Sequence, residues 1–321
     1  VSPPRVTVVG AGIAGVTCAA VLAGRGVAVT VLDRARGAGG RLATHRHAGR
    51  PADIGAAYFT VSGADFAGQV RRWQAAGLAR EWTDTLGVFS GVDRAPDSRG
   101  PMRWAAPGGL RGLVADAAAE LTVRTGHPVR SVRPGPGGRP LVDGEPCDAV
   151  VLAMPDPQAA RLLDPATPAG AAVTGRAWNP VLALTLGHPR HAWAPLRAAF
   201  VNDHPELSLV ADDGDRRGDG APVLVAHSTG DLARRFDADP AAAAGPMTAA
   251  VHRLLGIDSD PEWTHVHRWR FAAPAGSRDE PFHLGTDGIA LAGDGWGRSR
   301  VETAWLSGDR LGRELAGRLG H

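Results

Sequence analysis

A chain of 321 residues with 44% apolar and 21% charged positions can bury a substantial core, and it fits one large or two intertwined domains of an ordinary globular protein. Its 35 basic against 33 acidic residues leave a formal charge of +2, which removes nucleic acid and anionic membrane from the expected partners. All basic residues are arginine, with no lysine anywhere, and the two cysteines, Cys18 and Cys147, stand outside any CxxC pair, as reduced structural thiols of a cytoplasmic protein would.

No apolar run free of charge reaches membrane-spanning length, and the sequence opens with Val1 and a strand pattern where a signal peptide would stand. The first predicted strand, Val6 to Val9, is a β-branched run fit for a buried parallel strand. Gly10, Gly12 and Gly15 follow in GxGxxG spacing, with Ile13 and Ala14 opening a helix of small residues that runs to Ala23. The first glycine permits a tight turn, the second lets backbone amides approach a pyrophosphate, and the third lets helix and strand touch. The helix start then faces the phosphates with its positive end. A second strand, Ala28 to Leu32, carries Asp33 at its tip, where an acid accepts hydrogen bonds from an adenosine ribose. Glycine turns between strand and helix also occur without a ligand. Here strand, turn, helix, second strand and acid all fall in order.

NAD and FAD share this unit, and Arg34 to Arg41, RARGAGGR, separates them. Gly39 and Gly40 let the loop lie close to the same pyrophosphate, while Arg41 offers a guanidinium fork to a phosphate oxygen. The spacing of Asp33, five residues and Gly39-Gly40-Arg41 resembles the FAD-binding families related to amine oxidases, phytoene desaturases and renalase. That resemblance implies non-covalent FAD, with Arg34 and Gly40 among its contacts.

Leu42 to Thr60 reads as a hairpin-like loop around the polar tip His45 to Pro51. Its end, DIGAAYFT, resembles the renalase-like flavoproteins at Asp53, Gly55, Ala56, Tyr58, Phe59 and Thr60, which implies a run beside the flavin. Plain core packing is the other reading of Tyr58 and Phe59. Asp65 to Gly77 has the apolar spacing of an amphipathic helix at Phe66, Val70 and Trp73, whereas Glu81 to Pro107 reads as irregular chain. Pro107-Gly108-Gly109-Leu110 is expected to open a helix to about Leu121, and Val123 to Val132 a strand pair that includes Val129. In the resembled families a valine at that point hydrogen-bonds adenine through its backbone. Asp148 to Pro155 is the clearest later buried strand.

From 156 to 283 the texture changes. Pro180 to Leu186, Leu207 to Val210 and Val223 to His227 read as strands, and Asp231 to Leu255 as mostly helical. Trp263 to Ala272 alternates, so Trp263, His265, His267, Trp269 and Phe271 share one face and Thr264, Val266, Arg268 and Arg270 the other. Its HRWRFA core resembles a strand of renalase-like proteins, and the aromatic face is a candidate floor for a substrate pocket. A metal on His265 and His267 is the competing idea, but no HExxH or acid cluster accompanies them, and plain surface or core histidines stand beside both.

The last informative stretch joins the strand Ile289 to Ala292, then Gly293-Asp294, then a glycine loop and a helix from near Val301. Val301, Glu302, Ala304, Ser307 and Gly308 resemble a second FAD signature, GD followed by VExAxxSG. The resemblance implies Asp294 on the ribityl chain or on a water bridging to phosphate, and the amides of Val301 and Glu302 at the flavin edge where negative charge gathers on reduction.

The expected fold is α/β, a Rossmann-like FAD-binding domain with an interleaved α+β substrate domain on a mostly antiparallel sheet. Residues 1–62, 104–155 and 284–321 would form the first, and 63–103 and 156–283 the second. The resemblance implies a renalase-like oxidoreductase that takes a hydride from a small reduced substrate, a dihydronicotinamide isomer of NAD(P)H, and passes the electrons to oxygen. Tyr58, His267, Arg268, Trp269, Trp296 and Arg300 are the expected pocket residues, with positioning roles and no metal. Other readings are a flavin amine oxidase or desaturase on another small substrate and a non-catalytic scaffold on the same fold. Two further classes are set aside: aromatic hydroxylases carry a proline-containing glycine loop missing here, and disulfide reductases need a second GxGxxG and a cysteine pair.

Overall fold

The computed structural model describes residues 2–47 and 49–320; Val1, Ala48 in the expected hairpin tip, and His321 lie outside the described residues. Two sheets organise the chain. The first runs His283–Leu284, Ile289–Leu291, Ala149–Leu152, Arg5–Val9, Ala28–Leu32, Thr122–Arg124, parallel throughout except at its first pair. Parallel strands covered on both faces need near-continuous apolar runs, and Val8, Val31, Val150, Val151 and Ile289 are fully buried.

Glycines set how closely the helices lie on this sheet. A side chain on Gly15 would put its Cβ 1.9 Å from the Gly10 carbonyl oxygen, so only glycine lets the helix Ile13–Ala23 touch the first strand's turn. The last helix, Val301–Arg318, crosses the first one equally closely, since a Cβ on Gly308 would lie 2.1 Å from the Ala14 oxygen and one on Gly312 2.9 Å from the Val21 side chain. These contacts bring the starts of the two helices to the same end of the sheet.

The second sheet has eight strands in the order Trp263–Pro274, Trp178–Gly187, Val223–Ser228, Leu207–Asp212, Ala198–Asn202, Arg80–Ser90, Asp93–Ala105, Phe59–Thr60. All neighbours are antiparallel except Ala198–Asn202 with Arg80–Ser90. One face packs Leu182, Leu184, Val210 and Leu224 against the helix Ala244–Leu255. The opposite face carries Val181, Leu209, His227 and His267 toward a cavity shared with the first sheet.

Four expectations change. The stretch Glu81 to Pro107 is mostly a long hairpin, Arg80–Ser90 with Asp93–Ala105, whose outer strand is largely exposed, holds Pro96, Gly100 and Pro101, and shifts register against its partner, so no clean alternation marks it. The helix after Pro107 covers only Arg111–Ala117. Val129 lies between the short strands Thr122–Arg124 and Val132–Arg133 in a non-strand link rather than inside a strand. Finally, Phe59 and Thr60 pair with Trp104 and Arg103 in the second sheet, so both edges expected for the cofactor unit there belong to the antiparallel layer.

Candidate functional site

A cavity of about 1740 Å³ lies between the two layers. Its floor begins at the turn after Arg5–Val9. Gly10 adopts φ +111°, and a Cβ there would come within 2.5 Å of the Ala153 oxygen. Asp33, at the end of the neighbouring strand, is fixed by the amides of Ala11 at 2.6 Å and Ala35 at 2.7 Å, and it lines the same cavity. The second glycine loop folds back onto the first: Gly39 donates to the Ala11 oxygen at 2.9 Å, and a Cβ on Gly40 would stand 3.1 Å from the Gly12 Cα.

Arg41 then reaches across to the C-terminal signature. Its guanidinium makes a two-pronged pair with Asp294 and donates to the Ala272 oxygen at 3.0 Å, which leaves two of its five donors for another partner. Ser299 donates to the same carboxylate. Beyond it, Arg300 is extended and no side chain among the described residues caps the helix Val301–Arg318, whose first intrahelical amide bond is Ala304 to Arg300 at 3.1 Å. Val301 and Ala304 line the cavity, so the helix opens onto it with unsatisfied amides and the positive end of its dipole.

The loop Gly55 to Ala57 forms another wall. Ala56 donates to the Arg41 oxygen at 2.9 Å, and the loop is held from behind by fully buried Arg216, which donates to the oxygens of Ala57 at 2.9 Å and Asp53 at 3.0 Å and pairs with Asp213. Burial pushes the Asp53 carboxyl up, against the pull of Arg216; it accepts from Thr44 at 2.5 Å and from the Leu110 amide.

The wall opposite is the face of the antiparallel sheet. His267, Ala183, His227, Leu209 and Phe200 are direct neighbours on five adjacent strands and form one row. Burial, aided by His265 and His45, pushes the His267 imidazole down to about 4, and burial with Arg216 does the same to His227. Both rings are therefore neutral at pH 7. His267 packs on Trp269 at 4.4 Å between ring centroids, and the Trp269 indole donates to the Ile54 oxygen at 2.7 Å. Farther along, His265 stacks on His45 at 4.4 Å.

Most predicted residues meet in this cavity. Gly10, Gly12, Ile13, Ala14, Asp33, Arg34, Gly40, Arg41, Gly55, Ala56, Val129, Gly293, Asp294, Val301 and Ala304 line it, as do Tyr58, His267, Arg268, Trp269 and Arg300. Gly15 lies behind it, in the helix contact described above. Arg268 turns its guanidinium to Asp237, and Glu302 turns its carboxylate to the amides of Ser62 and Gly63. Trp296 is a correction. Its ring is buried in the apolar cluster with Leu152 and Leu291, under the Arg278 guanidinium at 4.2 Å, and it does not reach the cavity.

Several lining residues escape the sequence reading, and Arg103 and His227 are two of them. Arg103 lies over the Tyr58 ring at 5.4 Å, and its only signal was a charge between Met102 and Trp104. His227 ends a run of apolar residues, and a polar side chain closing a buried strand was the available clue. Among the described residues no group of His, Cys, Asp and Glu is placed to hold a metal ion, and no helix is long and apolar enough to cross a membrane. Both cysteines are free and buried, with Cys18 pushed up to about 12 by burial and Asp309.

A dinucleotide fits these donors. Two facing glycine loops leave no Cβ in its path, an uncapped helix points amides at it, and the Val129 amide has no backbone partner among the described residues. The fold and this cavity define a dinucleotide-binding flavoprotein. Residues 84–315 match the family of flavin containing amine oxidoreductases, and residues 8–74 the NAD(P)-binding Rossmann-like domain. The chain belongs to the flavin containing amine oxidoreductase family, and its cofactor is FAD.

Among curated proteins, hydroxyneurosporene desaturase of Rubrivivax gelatinosus is 49% identical over 57 residues, 18% of this chain and 11% of that protein. L-amino-acid oxidase of Vipera ammodytes ammodytes is 54% identical over 46 residues, 14% of this chain and 10% of that one. The matched stretch thus spans about a tenth of either relative. Solved structures of putrescine oxidase share the fold end to end. A triple variant superposes with a TM-score of 0.78 at 15% identity, covering 98% of this chain and 99% of that chain. The putrescine-bound wild type gives 0.74 at 16% identity, covering 98% of each.

Proposed function

We propose that this protein is an FAD-dependent oxidase that takes a hydride from a dihydronicotinamide of the NAD(P)H kind, in the renalase-like manner, with O2 as the final acceptor and H2O2 as product. The observation that carries this reading is the charge of the cavity wall. Eleven arginines line it, and once Arg41 is paired with Asp294 and Arg268 and Arg270 with Asp237, eight remain without a carboxylate partner among the described residues (Arg34, Arg36, Arg103, Arg111, Arg130, Arg161, Arg298, Arg300), against the single further aspartate Asp33. Such a wall attracts phosphate-bearing molecules and repels the ammonium form in which simple amines exist near pH 7.

Bound FAD supplies a two-electron acceptor, and the remaining work is positioning. The dihydropyridine ring gives up a hydrogen with its electron pair and becomes a pyridinium, so no proton has to be removed by the protein. The neutral imidazoles of His227 and His267 suit that demand, because they add a polar wall without a charge to oppose the developing cation. Amine oxidation, the second reading, is favoured by the structural likeness to putrescine oxidase. It needs the amine deprotonated first, and the chain has no lysine to assist. A non-catalytic scaffold would have no use for an uncapped helix end aimed into the cavity. A cytoplasmic setting is supported by the two free thiols.

The test is anaerobic mixing of the yellow protein with 2-, 4- and 6-dihydronicotinamides and with simple amines, following flavin absorbance. Bleaching by one or more dihydronicotinamides is expected. Bleaching by amines alone overturns the reading.

A further inference from the structure

Arg103 is 5% exposed, yet among the described residues no carboxylate lies within ion-pair distance of it. Its Nη1 donates to the Asp84 carbonyl at 2.8 Å, its Nε is buried without a partner, and its Nη2 has no hydrogen-bond partner among the described residues. The guanidinium lies over two ring faces, Tyr58 at 5.4 Å and Phe200 at 5.9 Å, and the residue lines the cavity. Ring faces soften the loss of water around a cation but do not use its in-plane donors. A buried cation left without a counter-charge is costly. The other two buried arginines among the described residues each have a carboxylate within ion-pair distance, Arg216 with Asp213 and Arg217 with Asp219 at 3.8 Å.

We propose that Arg103, its guanidinium seated over the rings of Tyr58 and Phe200, is the recognition residue for an anionic oxygen group of the substrate, a carboxylate or a phosphate. The inference rests on the reading that this cavity receives the substrate, and it names the chemical class that enters. Phe200 stands two strands from His227 in the same row, about 10 Å at ordinary sheet spacing. The substrate therefore carries its negative charge roughly that far from the end that reaches the imidazoles. A planar fork with free in-plane donors is the geometry that carboxylate and phosphate oxygens accept, and a neutral amide oxygen gains less from it.

The test uses the flavin-loaded protein and three ring-bearing probes, benzoate, phenyl phosphate and benzamide, with binding measured at equilibrium by calorimetry. At least one anion is expected to bind about tenfold or more tightly than benzamide. Which anion wins separates the carboxylate from the phosphate source. Arg103→Gln should abolish the preference while leaving benzamide binding and flavin content unchanged, and Arg103→Lys should restore part of it. Equal binding of all three probes to the unaltered protein, no binding of either anion, or an intact preference in Arg103→Gln would each overturn the assignment. If Arg103→Gln does not fold, Arg103→Lys is read instead, and an undiminished preference there refutes the role of the fork. Because no turnover is involved, absence of the anion preference from the unaltered protein with its dihydronicotinamide oxidation intact refutes this inference alone. The reverse result refutes only the choice of hydride donor.

Discussion

Arg41 and Asp294, 253 positions apart, close on each other as a two-pronged ion pair, with Nη1 2.9 Å from Oδ2 and Nη2 on Oδ1. The pair ties the N-terminal glycine loops to the C-terminal signature. Asp294 is the more buried partner, its side chain 9% exposed against 27% for Arg41. Arg41→Ala is therefore expected to cost about 3 kcal/mol, since it strands the buried carboxylate, and Asp294→Ala somewhat less. Both should lower flavin retention. Because the residues act as a unit, the double variant should lose clearly less than the sum of the two. Urea unfolding and the flavin-to-protein absorbance ratio measure this, and strictly additive losses would sink it.

Gly308→Ala should destabilise by about 3 kcal/mol or more, because its Cβ would fall 2.1 Å from a backbone oxygen that can retreat only if the whole first helix moves. Gly317→Ala, on the same helix but with open space around it, should stabilise by about 0.5 kcal/mol. Matching effects of the two in thermal denaturation would refute the close crossing.

His227 is held neutral, with its value depressed to about 4 from the ordinary 6.5. The unfolded chain takes up the proton first, so this residue's share of stability is complete above pH 6.5 and drains away as pH falls toward 4. His227→Gln should remove that drain. Between pH 7 and 4.5 it should lose about 2 kcal/mol less stability than the unaltered protein. Parallel stability curves across that window would count against a neutral buried imidazole.

Glu302 is buried in the first turn of the last helix, yet it serves another one: its Oε1 accepts from the amides of Ser62 at 3.0 Å and Gly63 at 2.6 Å, at the start of the helix Ala64–Ala75. Charged acceptors on amides are worth about 1.5–3 kcal/mol each. Glu302→Ala is expected to cost about 3 kcal/mol and Glu302→Gln roughly half of that. Hydrogen exchange should speed up in Ala64–Ala75 in both variants; unchanged exchange there would argue that the carboxylate does not anchor that helix.

The cofactor half was legible because its physics is local. Parallel buried strands write themselves as apolar runs, and Gly10, Gly12, Gly15, Gly39 and Gly40 mark places where backbone must meet backbone. The last signature was legible for the same reason. The hairpin Arg80–Ala105 was not, because an exposed strand interrupted by Pro96 and Pro101 carries no alternation to read. Trp296 misled because its place beside Asp294 in the chain says nothing of which side of the sheet the ring enters. Arg103 and His227 carry only faint marks in the sequence for a related reason: their neighbours in the cavity come from strands far apart in sequence, and register cannot be read from one strand alone.

The crossing of the first and last helices orders events in time. A chain growing from its N-terminus makes Ile13–Ala23 early, but the surface that covers it arrives only with Val301–Arg318, nearly three hundred residues later. Until then the small-residue face of the early helix stays uncovered, an exposure of the kind chaperones bind. Cofactor capture is accordingly a late event in the life of the nascent polypeptide, and truncation even a few turns before the end should yield colourless, aggregation-prone protein.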